Sequence, residues 1–388
     1  MNGFFPDKKS ILKADTKTLN IALFIFIGLF FSYQYVFSVE IKSKKQFYLE
    51  QRPEFIIGIP RGFVVTQLGE IIVCDVKEGN FKIFTSRGYA DKKFGKKGYG
   101  PDEFSSPWLH DYINNKIIFS DTGTKKVYIY EISKAQTWKK RKEIVAVSVT
   151  DLKLLDEQRK ILYCSFPLPC LKEKKGNNYV LFLRSIDKKD IDCLLPFHSQ
   201  FGSNSRPIDF GKLKKFSPAQ LPDFIVLPQW KFCDFDSKYY YLVWTGNLEI
   251  IRIKRETGRI DFLKPSSSTY IKPKVKGKLR QAYFERRSRD YRNILRKMSW
   301  VIKLFVDNNF IGVIYSNYDE SLSRWVFYLQ ILLKNGQVIF EGKLKGFSSD
   351  NYLAYFYYNK AKKLLYGLSD EIVDDKVNYK ILIYEISL

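Results

Sequence analysis

The densest group of chemically versatile residues is a glycine-rich stretch at 94–107. It reads Phe-Gly-Lys-Lys-Gly-Tyr-Gly-Pro-Asp-Glu-Phe-Ser-Ser-Pro. A glycine-rich loop that carries lysines can cradle a phosphate when a helix follows it, because the loop amides and the helix N-terminus point at the anion. No helical pattern follows this stretch. A phosphate-binding loop is therefore rejected, and the glycines need a structural explanation.

Metal-ligating and nucleophilic residues are few and scattered. The histidines are His110 and His198, and the cysteines stand at positions 74, 164, 170, 193 and 233. No Cys-x-x-Cys pair occurs, and neither histidine has a second ligand nearby, which argues against a zinc site. Neither histidine adjoins a Ser or Cys nucleophile in a known motif, and the carboxylate pairs at 319–320 and 370–371 fall in turns. The sequence therefore predicts no catalytic residue, no metal ligand and no cofactor.

Two copies of one unit flank the glycine-rich stretch. Asp75 follows an apolar strand at 71–74, and Asp121 follows a matching strand 46 residues later. A second strand comes after each aspartate, at 81–84 and 127–130. A period of about 40–50 residues with several short strands per unit is typical of propeller blades. We interpret Asp75 and Asp121 as structural turn residues whose carboxylates accept backbone N–H bonds.

The connector between the copies resembles that of NHL-type six-bladed β-propellers. Repeats of that family carry Gly-x-Gly-Pro-x-Glu-Phe and a proline, then an apolar strand that ends in Asp. The matching positions here include Gly98, Gly100, Pro101 and Phe104. The match is good over the first two units and weaker over the rest of the chain. The resemblance implies an all-β, six-bladed β-propeller of the exported bacterial type, with these connector residues in structural roles.

Residues 39–388 are accordingly predicted to form the propeller. Further strands are expected within 143–197, 230–260, 301–344 and 352–386, with Asn335-Gly336 as a hairpin turn. Residues 381–387 echo residues 127–133, which predicts that the chain ends on the outer strand of its blade. A propeller closes its ring to avoid exposed edges, and a strand at 54–59 is predicted to complete the last blade.

One helix is predicted to interrupt the sheets at about 278–298, a segment without Gly or Pro. Its apolar residues recur with helical spacing. The other side carries six arginines, namely Arg280, Arg286, Arg287, Arg289, Arg292 and Arg296. Such a basic face can contact acidic lipid or nucleic acid, although an arginine-rich face is more often solvated.

Residues 1–38 are predicted to be a signal peptide or a membrane anchor. Four lysines precede an uncharged segment at 18–39, whose centre is almost wholly apolar. Cleavage could occur before Val39, whereas an uncut segment could just span a bilayer and anchor the protein in the inner membrane. The lysines on either side do not settle the orientation of an uncut segment. We expect the propeller outside the cytoplasm, in the periplasm or at the cell surface. Cys164 and Cys170 could form a disulfide in that oxidising space.

The function classes follow from charge and fold. The formal net charge is +24, but no run of five basic residues occurs, which favours an evenly spread charge. We expect a non-catalytic binding or scaffold propeller that recognises a protein, peptide or glycan through its loop face. The alternative is an exported propeller-fold hydrolase, lyase or cyclase, which needs carboxylates or a histidine at the channel mouth. Nucleic-acid binding fits poorly with an export signal.

Overall fold

A computed structural model gives the fold of the chain. It describes residues 39–133, 137–145, 149–155, 160–165, 181–185, 191–193, 231–244, 246–254, 259–272, 293, 295–351 and 354–388. For the strands between 149 and 193 only the backbone is described. The predicted signal or anchor at 1–38 and the second partner of the predicted disulfide, Cys170, lie outside the described residues. Within those ranges, no helix is long and apolar enough to cross a membrane.

The first half of the described chain consists of short strands. A strand β1 (Glu40–Tyr48) and a 3-10 turn (Pro53–Phe55) come first. The next sheet contains β2 (Pro60–Val65), β3 (Ile71–Asp75), β4 (Asn80–Phe84) and β5 (Ala90–Phe94). Two short strands, β6 (Lys96–Lys97) and β7 (Glu103–Phe104), pair in parallel within the connector. A further sheet contains β8 (Pro107–Ile113), β9 (Lys116–Asp121), β10 (Lys126–Ile132) and β11 (Trp138–Val145).

The second half repeats the four-strand pattern. The strands of the third sheet are β12 (Val149–Leu155), β13 (Lys160–Ser165), β14 (Leu181–Ser185) and β15 (Ile191–Cys193). Those of the fourth are β16 (Lys231–Phe235), β17 (Tyr239–Trp244), β18 (Asn247–Lys254) and β19 (Ile260–Leu263). The fifth has β20 (Trp300–Val306), β21 (Phe310–Asp319), β22 (Arg324–Leu333) and β23 (Val338–Ser349). The last has β24 (Tyr355–Asn359), β25 (Leu364–Val373) and β26 (Lys376–Ser387), with β1 beside β26.

Successive sheets meet through their first strands. β2 contacts β8, β8 contacts β12, and β12 contacts β16. The series continues from β16 to β20 and from β20 to β24, and β24 contacts β2 again. Within each four-stranded sheet the strands follow chain order, apart from β1, and the pairs with a described register are antiparallel. This arrangement is that of an all-β propeller, as the sequence predicts.

Aromatic side chains fill the space between the first two sheets. Phe81 of β4 and Phe119 of β9 are fully buried, with ring centroids 4.6 Å apart. Phe104 of the connector packs edge-on against both rings, at 5.7 and 5.0 Å. Aromatic pairs in such geometries gain about 0.5–1.5 kcal/mol beyond the area that they bury. The connector is thus held by its own phenylalanine in the core between the sheets.

Three details of the sequence-based prediction are wrong. The carboxylate pair at 370–371 lies within β25 and not in a turn. Residues 54–59 form no strand, and β1 completes the last sheet instead. The amides of Gly58 and Ile59 bond to the Asp75 carboxylate, at 2.8 and 3.0 Å, so they are not available to a sheet edge. The chain also does not end on an outer strand. β26 and β10 are both third in their sheets, with β1 and β11 outside them.

The predicted hairpin at Asn335-Gly336 is confirmed. Gly336 has φ +94° and donates its N–H to the Leu333 carbonyl at 2.9 Å, which closes the turn between β22 and β23. The predicted helix at 278–298 falls largely outside the described residues. At its end, residues 293, 295 and 296 are helical, and β20 begins at Trp300.

Candidate functional site

The two predicted turn aspartates lie at the ends of second strands and bind the connector that precedes their own sheet. Asp75 accepts the N–H groups of Gly58 and Ile59, and Asp121 accepts those of Ser105 and Ser106 at 2.9 and 2.8 Å. In each case a proline follows and begins the first strand. The carboxylate therefore takes up two backbone donors that would otherwise lie unpaired at the turn into the sheet.

Asp75 also forms a buried ion pair. The Lys82 ammonium lies 2.5 Å from the Asp75 carboxylate, and both side chains are fully buried. Burial alone would raise the pKa of Asp75, but the Gly58 amide, the Lys82 ammonium and the Ile59 amide outweigh it and hold the pKa below its usual value. Asp75 is thus a charged structural anchor with all of its acceptor capacity engaged.

The glycine-rich connector binds its own glutamate. The amides of Tyr99 and Gly100 donate to Glu103 Oε2 at 3.1 and 2.9 Å. The Gly100 amide, followed by the Lys96 ammonium, lowers the pKa of Glu103. Gly98 has φ +154°, and a Cβ there would lie 2.1 Å from the same oxygen. Pro101 is exposed at the tip of the connector. The anion that these amides hold is therefore part of the chain.

Of the six predicted basic-face arginines, only Arg296 lies in the described part of the chain. It is exposed, and its guanidinium carbon stands 4.3 Å from the ring centroid of Tyr318. A guanidinium at this distance over an aromatic ring forms a cation–π contact. The other five arginines lie outside the described residues.

A pocket of about 220 Å³ opens where the first strands end. Five of the six first strands contribute to it, which places it at one end of the central channel. Its lining includes five aromatic residues, Tyr112, Phe235, Phe305, Tyr357 and Tyr358, together with Val65, Gln67, Asp111, Ile113, Asn114, Asp234, Lys303, Asn359, Lys360 and Ala361. We call it the channel-end pocket.

Asp234 joins three sheets at this pocket. Its carboxylate accepts the Val306 N–H of β20 at 2.7 Å and lies 3.2 Å from the Lys360 ammonium, just after β24. Its side chain is 1% exposed. The backbone N–H of Phe235 donates to it as well, at 2.9 Å. A carboxylate engaged in this way links sheets and is poorly placed to accept a proton from a substrate.

A carboxylate just outside the pocket lining is engaged in a similar way. Asp307 accepts the Tyr358 hydroxyl at 2.7 Å and the Asn308 N–H at 2.7 Å. Burial and this hydrogen bond raise the pKa of Tyr358, so the phenol stays protonated and continues to donate. The ring of Tyr358 stacks on Phe305 with centroids 4.5 Å apart. Asp307 therefore positions an aromatic wall of the pocket.

His110, in β8, bonds to a serine of the neighbouring strand. Its Nε2 is 2.8 Å from Ser120 Oγ, and both residues are buried within the second sheet. A Ser–His pair can serve as nucleophile and base, but it needs access to substrate. Among the residues that the structure describes, no group of three or more His, Cys, Asp or Glu could hold a metal ion.

Sequence reasoning missed Asp234, Lys360 and the Ser120–His110 pair. Asp234 and Lys360 are 126 residues apart in the chain, so no local motif joins them. One signal was present, because Asp234 interrupts the apolar residues at 232–235 of β16 and an unpaired aspartate there would be costly. Lys360 lies in a turn and carries no such signal.

Comparison with known proteins supports the fold and nothing finer. No family model and no curated protein matches the sequence. A member of the DUF4221 family from Bacteroides vulgatus is similar in structure, with a TM-score of 0.58 and 10% identity over 91% of this chain and 99% of that one. At this identity the likeness concerns the fold alone. Together with the sheets described above, it defines the protein as a β-propeller.

Weaker similarities extend over most of the chain. A protein described as exported from Bacteroides fragilis gives a TM-score of 0.49 at 13% identity, over 90% of this chain and 96% of that one. Virginiamycin B lyase from Staphylococcus aureus gives 0.42 at 11% identity, over 89% and 99%. Neither similarity is strong enough to transfer a function to this chain.

Proposed function

We propose that the protein is a non-catalytic binding propeller that recognises a protein, peptide or glycan at the channel-end face. The observation that carries this proposal is the state of two carboxylates at this face, one in the lining of the pocket and one beside it. Asp234 and Asp307 are both bound to backbone N–H groups and to Lys360 or Tyr358. Such groups stabilise the walls of a pocket, whereas a hydrolase or lyase needs an acid or base that faces its substrate.

The size and lining of the pocket support a macromolecular ligand. A volume of about 220 Å³ is smaller than the roughly 300–1,000 Å³ typical of sites that enclose a whole small molecule. It can accept one side chain or one sugar ring that projects from a larger ligand. Aromatic walls suit a side chain and a sugar ring alike, because aromatic residues bury a large contact area and lose little side-chain entropy on binding.

The blade number and cellular location belong to the same proposal. We infer six blades of the NHL type, because the six sheets make contacts in cyclic order and the first two are joined by the Gly-Pro-Glu-Phe connector. We also infer an extracytoplasmic location, with residues 1–38 as a signal peptide or as an inner-membrane anchor. N-terminal sequencing after cell fractionation tests the location, and an intact cytosolic chain beginning at Met1 would contradict it.

The binding proposal is tested by blocking the pocket. Ala361 is exposed at its rim, so Ala361→Trp should fill the entrance without disturbing the core. Ligands selected on the wild-type protein from a peptide display library or a glycan array should bind this variant at least about tenfold more weakly. Leu322→Trp places equal bulk on an exposed hairpin, between β21 and β22, and should bind normally. Equal loss with both variants, or chemical conversion of the bound ligand, would refute the proposal.

A further inference from the structure

A larger cavity of about 450 Å³ lies where the first and last sheets meet. It is formed at the start of the first strands, whereas the channel-end pocket is formed where they end. Apolar and polar residues share its lining, namely Ile59, Pro60, Arg61, Ser349, Asn351, Ala354, Tyr355, Leu368, Asp370, Val377 and Tyr379. Its volume falls in the range of sites that enclose a small molecule.

A β-bulge positions Arg61 at this cavity. The pairing of β2 with β3 shifts register between Pro60 and Phe63, and Gly62 within the bulge has φ +89°. Bulges re-aim the side chains next to them, and they are common at functional sites. A Cβ on Gly62 would lie 2.1 Å from the Leu109 carbonyl oxygen, so glycine is required for this backbone path.

Arg61 keeps most of its hydrogen-bonding capacity. Within the described residues, the guanidinium donates one long bond, 3.3 Å to Ser106 Oγ, and lies 5.7 Å from the ring centroid of Trp108. No carboxylate of the described residues lies within ion-pair distance of it. A half-buried guanidinium carries five N–H donors and a permanent charge, and one bond to a hydroxyl leaves most of them for a ligand.

Two tyrosines add neutral donors to the same cavity. Neither the Tyr355 nor the Tyr379 hydroxyl is hydrogen-bonded to another residue in the described ranges. Burial, with the nearby charges of Asp370 and Asp75, raises the pKa of Tyr379 to about 12. Burial also raises the pKa of Tyr355, which the positive charge of Arg61 partly offsets. Both phenols are therefore protonated at neutral pH and able to donate.

The one carboxylate in the lining is already occupied. Asp370 accepts the Ser349 hydroxyl, and its Oδ2 lies 3.7 Å from Arg324. Its charge is therefore partly neutralised from the side of the last sheet. Arg61 and the two phenols remain as groups that can bind an anion.

We propose that this cavity binds a small organic acid, whose carboxylate pairs with Arg61 and accepts a hydrogen bond from Tyr355 or Tyr379. The planar fork of a guanidinium matches the two oxygens of a carboxylate. The apolar body of the acid lies against Pro60, Ala354, Leu368 and Val377. A single cation beside Asp370 suits a monoanion better than a phosphate dianion. This site is separate from the channel-end pocket and does not depend on its function.

Isothermal titration calorimetry with defined probes tests the proposal. Acetate, benzoate, decanoate and 2-naphthoate vary the apolar body, 2-naphthamide removes the charge, and phenyl phosphate replaces the carboxylate. We expect at least one of the larger carboxylates to bind, and its amide or phosphate counterpart to bind at least about tenfold more weakly, since a charge-assisted bond contributes about 1.5–3 kcal/mol. If none of the carboxylates binds at millimolar concentration, the proposal is wrong.

Variants locate the binding. Arg61→Gln should lower the affinity for the best-binding carboxylate at least about tenfold, and Arg61→Lys should lower it less. Tyr379→Phe should lower the same affinity several-fold. Arg87→Gln removes the same charge from an exposed turn of the first sheet and should bind normally. Tyr379→Phe removes only a hydroxyl, so it remains informative if the Arg61 variants do not fold.

Chemical modification gives an independent readout on the wild-type chain. Phenylglyoxal should modify Arg61, and the bound carboxylate should protect that residue but leave Arg87 reactive, as mapped by mass spectrometry. Unchanged affinity in Arg61→Gln and Tyr379→Phe, or modification of Arg61 that the ligand does not slow, would overturn the assignment.

Discussion

At the scale of single residues, buried charge is used to hold connectors in place. Asp75 receives two connector amides and the Lys82 ammonium, and Asp121 receives the two equivalent amides. Removing one partner of a buried pair leaves the other without compensation, which costs far more than losing a surface pair. These residues therefore bear on stability, and we expect no effect on binding.

Asp75→Asn tests this role. The amide side chain keeps one acceptor oxygen, but Lys82 loses its nearest countercharge and retains only that of Glu78, at 3.0 Å. We expect the free energy of unfolding to fall by about 3 kcal/mol in urea denaturation at pH 7. Asp91→Asn changes an exposed carboxylate in the same sheet and should change the free energy of unfolding by less than about 0.5 kcal/mol. Equal effects of the two variants would show that the buried ion pair stabilises the fold no more than an exposed carboxylate does.

The pH dependence of stability follows from the same residue. The pKa of Asp75 is lowered by folding, so its ionisation favours the folded state above the unfolded pKa of about 4. This contribution is lost as pH falls below that value and through the folded pKa. The wild-type protein should therefore lose stability more steeply than Asp75→Asn between about pH 5 and pH 2. Parallel curves in urea titrations across this range would contradict the expectation.

At the scale of elements, the connectors and bulges decide where side chains point. The first-strand bulges at Arg61-Gly62 and His110 both interrupt regular pairing with the second strand. Gly62 is the sharper case, because it combines φ +89° with a close approach to the Leu109 carbonyl of the next sheet. Any side chain at this position must push two sheets apart or change the bulge.

We expect Gly62→Ala to lower the free energy of unfolding by about 3 kcal/mol, because the methyl group meets backbone and the dihedral is strained. Gly100→Ala is the matched control. Its Cβ would approach only the movable Glu103 carboxylate, at 3.0 Å, so a loss below about 1 kcal/mol is expected. Thermal unfolding of both variants provides the measurement. If Gly62→Ala is as stable as the wild type, the bulge can relax to accept a side chain.

The first described strand has a role of its own. β1 covers β26 and leaves no unpaired edge there. A chain beginning at residue 49 should therefore unfold at a lower temperature and associate in sedimentation experiments, relative to one beginning at residue 39. Lys44→Ala removes the surface ion pair with Glu385, at 2.6 Å, and should cost less than about 1 kcal/mol. If the shortened chain is monomeric and equally stable, β1 is dispensable.

At the scale of the whole molecule, contacts between distant sheets form the channel end. Asp234 of β16 reaches β20 and the turn after β24. Asp234→Ala should leave the buried Val306 N–H without its acceptor and remove the countercharge of Lys360. We expect a loss of about 3 kcal/mol and broader unfolding, because three sheets lose a shared contact. Asp91→Ala, on an exposed site, should be nearly neutral in the same calorimetric scans.

The sequence was informative where structure is local. The 46-residue spacing of Asp75 and Asp121 locates the first two sheets, and Asn335-Gly336 locates a hairpin, since each depends on residues close in the chain. Ring closure was assigned to the wrong segment, because pairing of β1 with β26 leaves no mark within either strand. The channel-end contacts of Asp234 and the cavity around Arg61 depend on sheets far apart in sequence. Their residues carried no repeat, motif or spacing to identify them.

The pairing of β1 with the last sheet also bears on the order of events in folding. The Tyr48 hydroxyl bonds to Glu371, 323 residues away, and Gln51 bonds to the Val377 carbonyl, 326 residues away. These contacts cannot form until nearly the whole chain has been synthesised. Earlier sheets can assemble from neighbouring segments, but the N-terminal strand must wait for its partner. A chain released before the last sheet is made would leave β1 without its partner strand and vulnerable to aggregation and proteolysis.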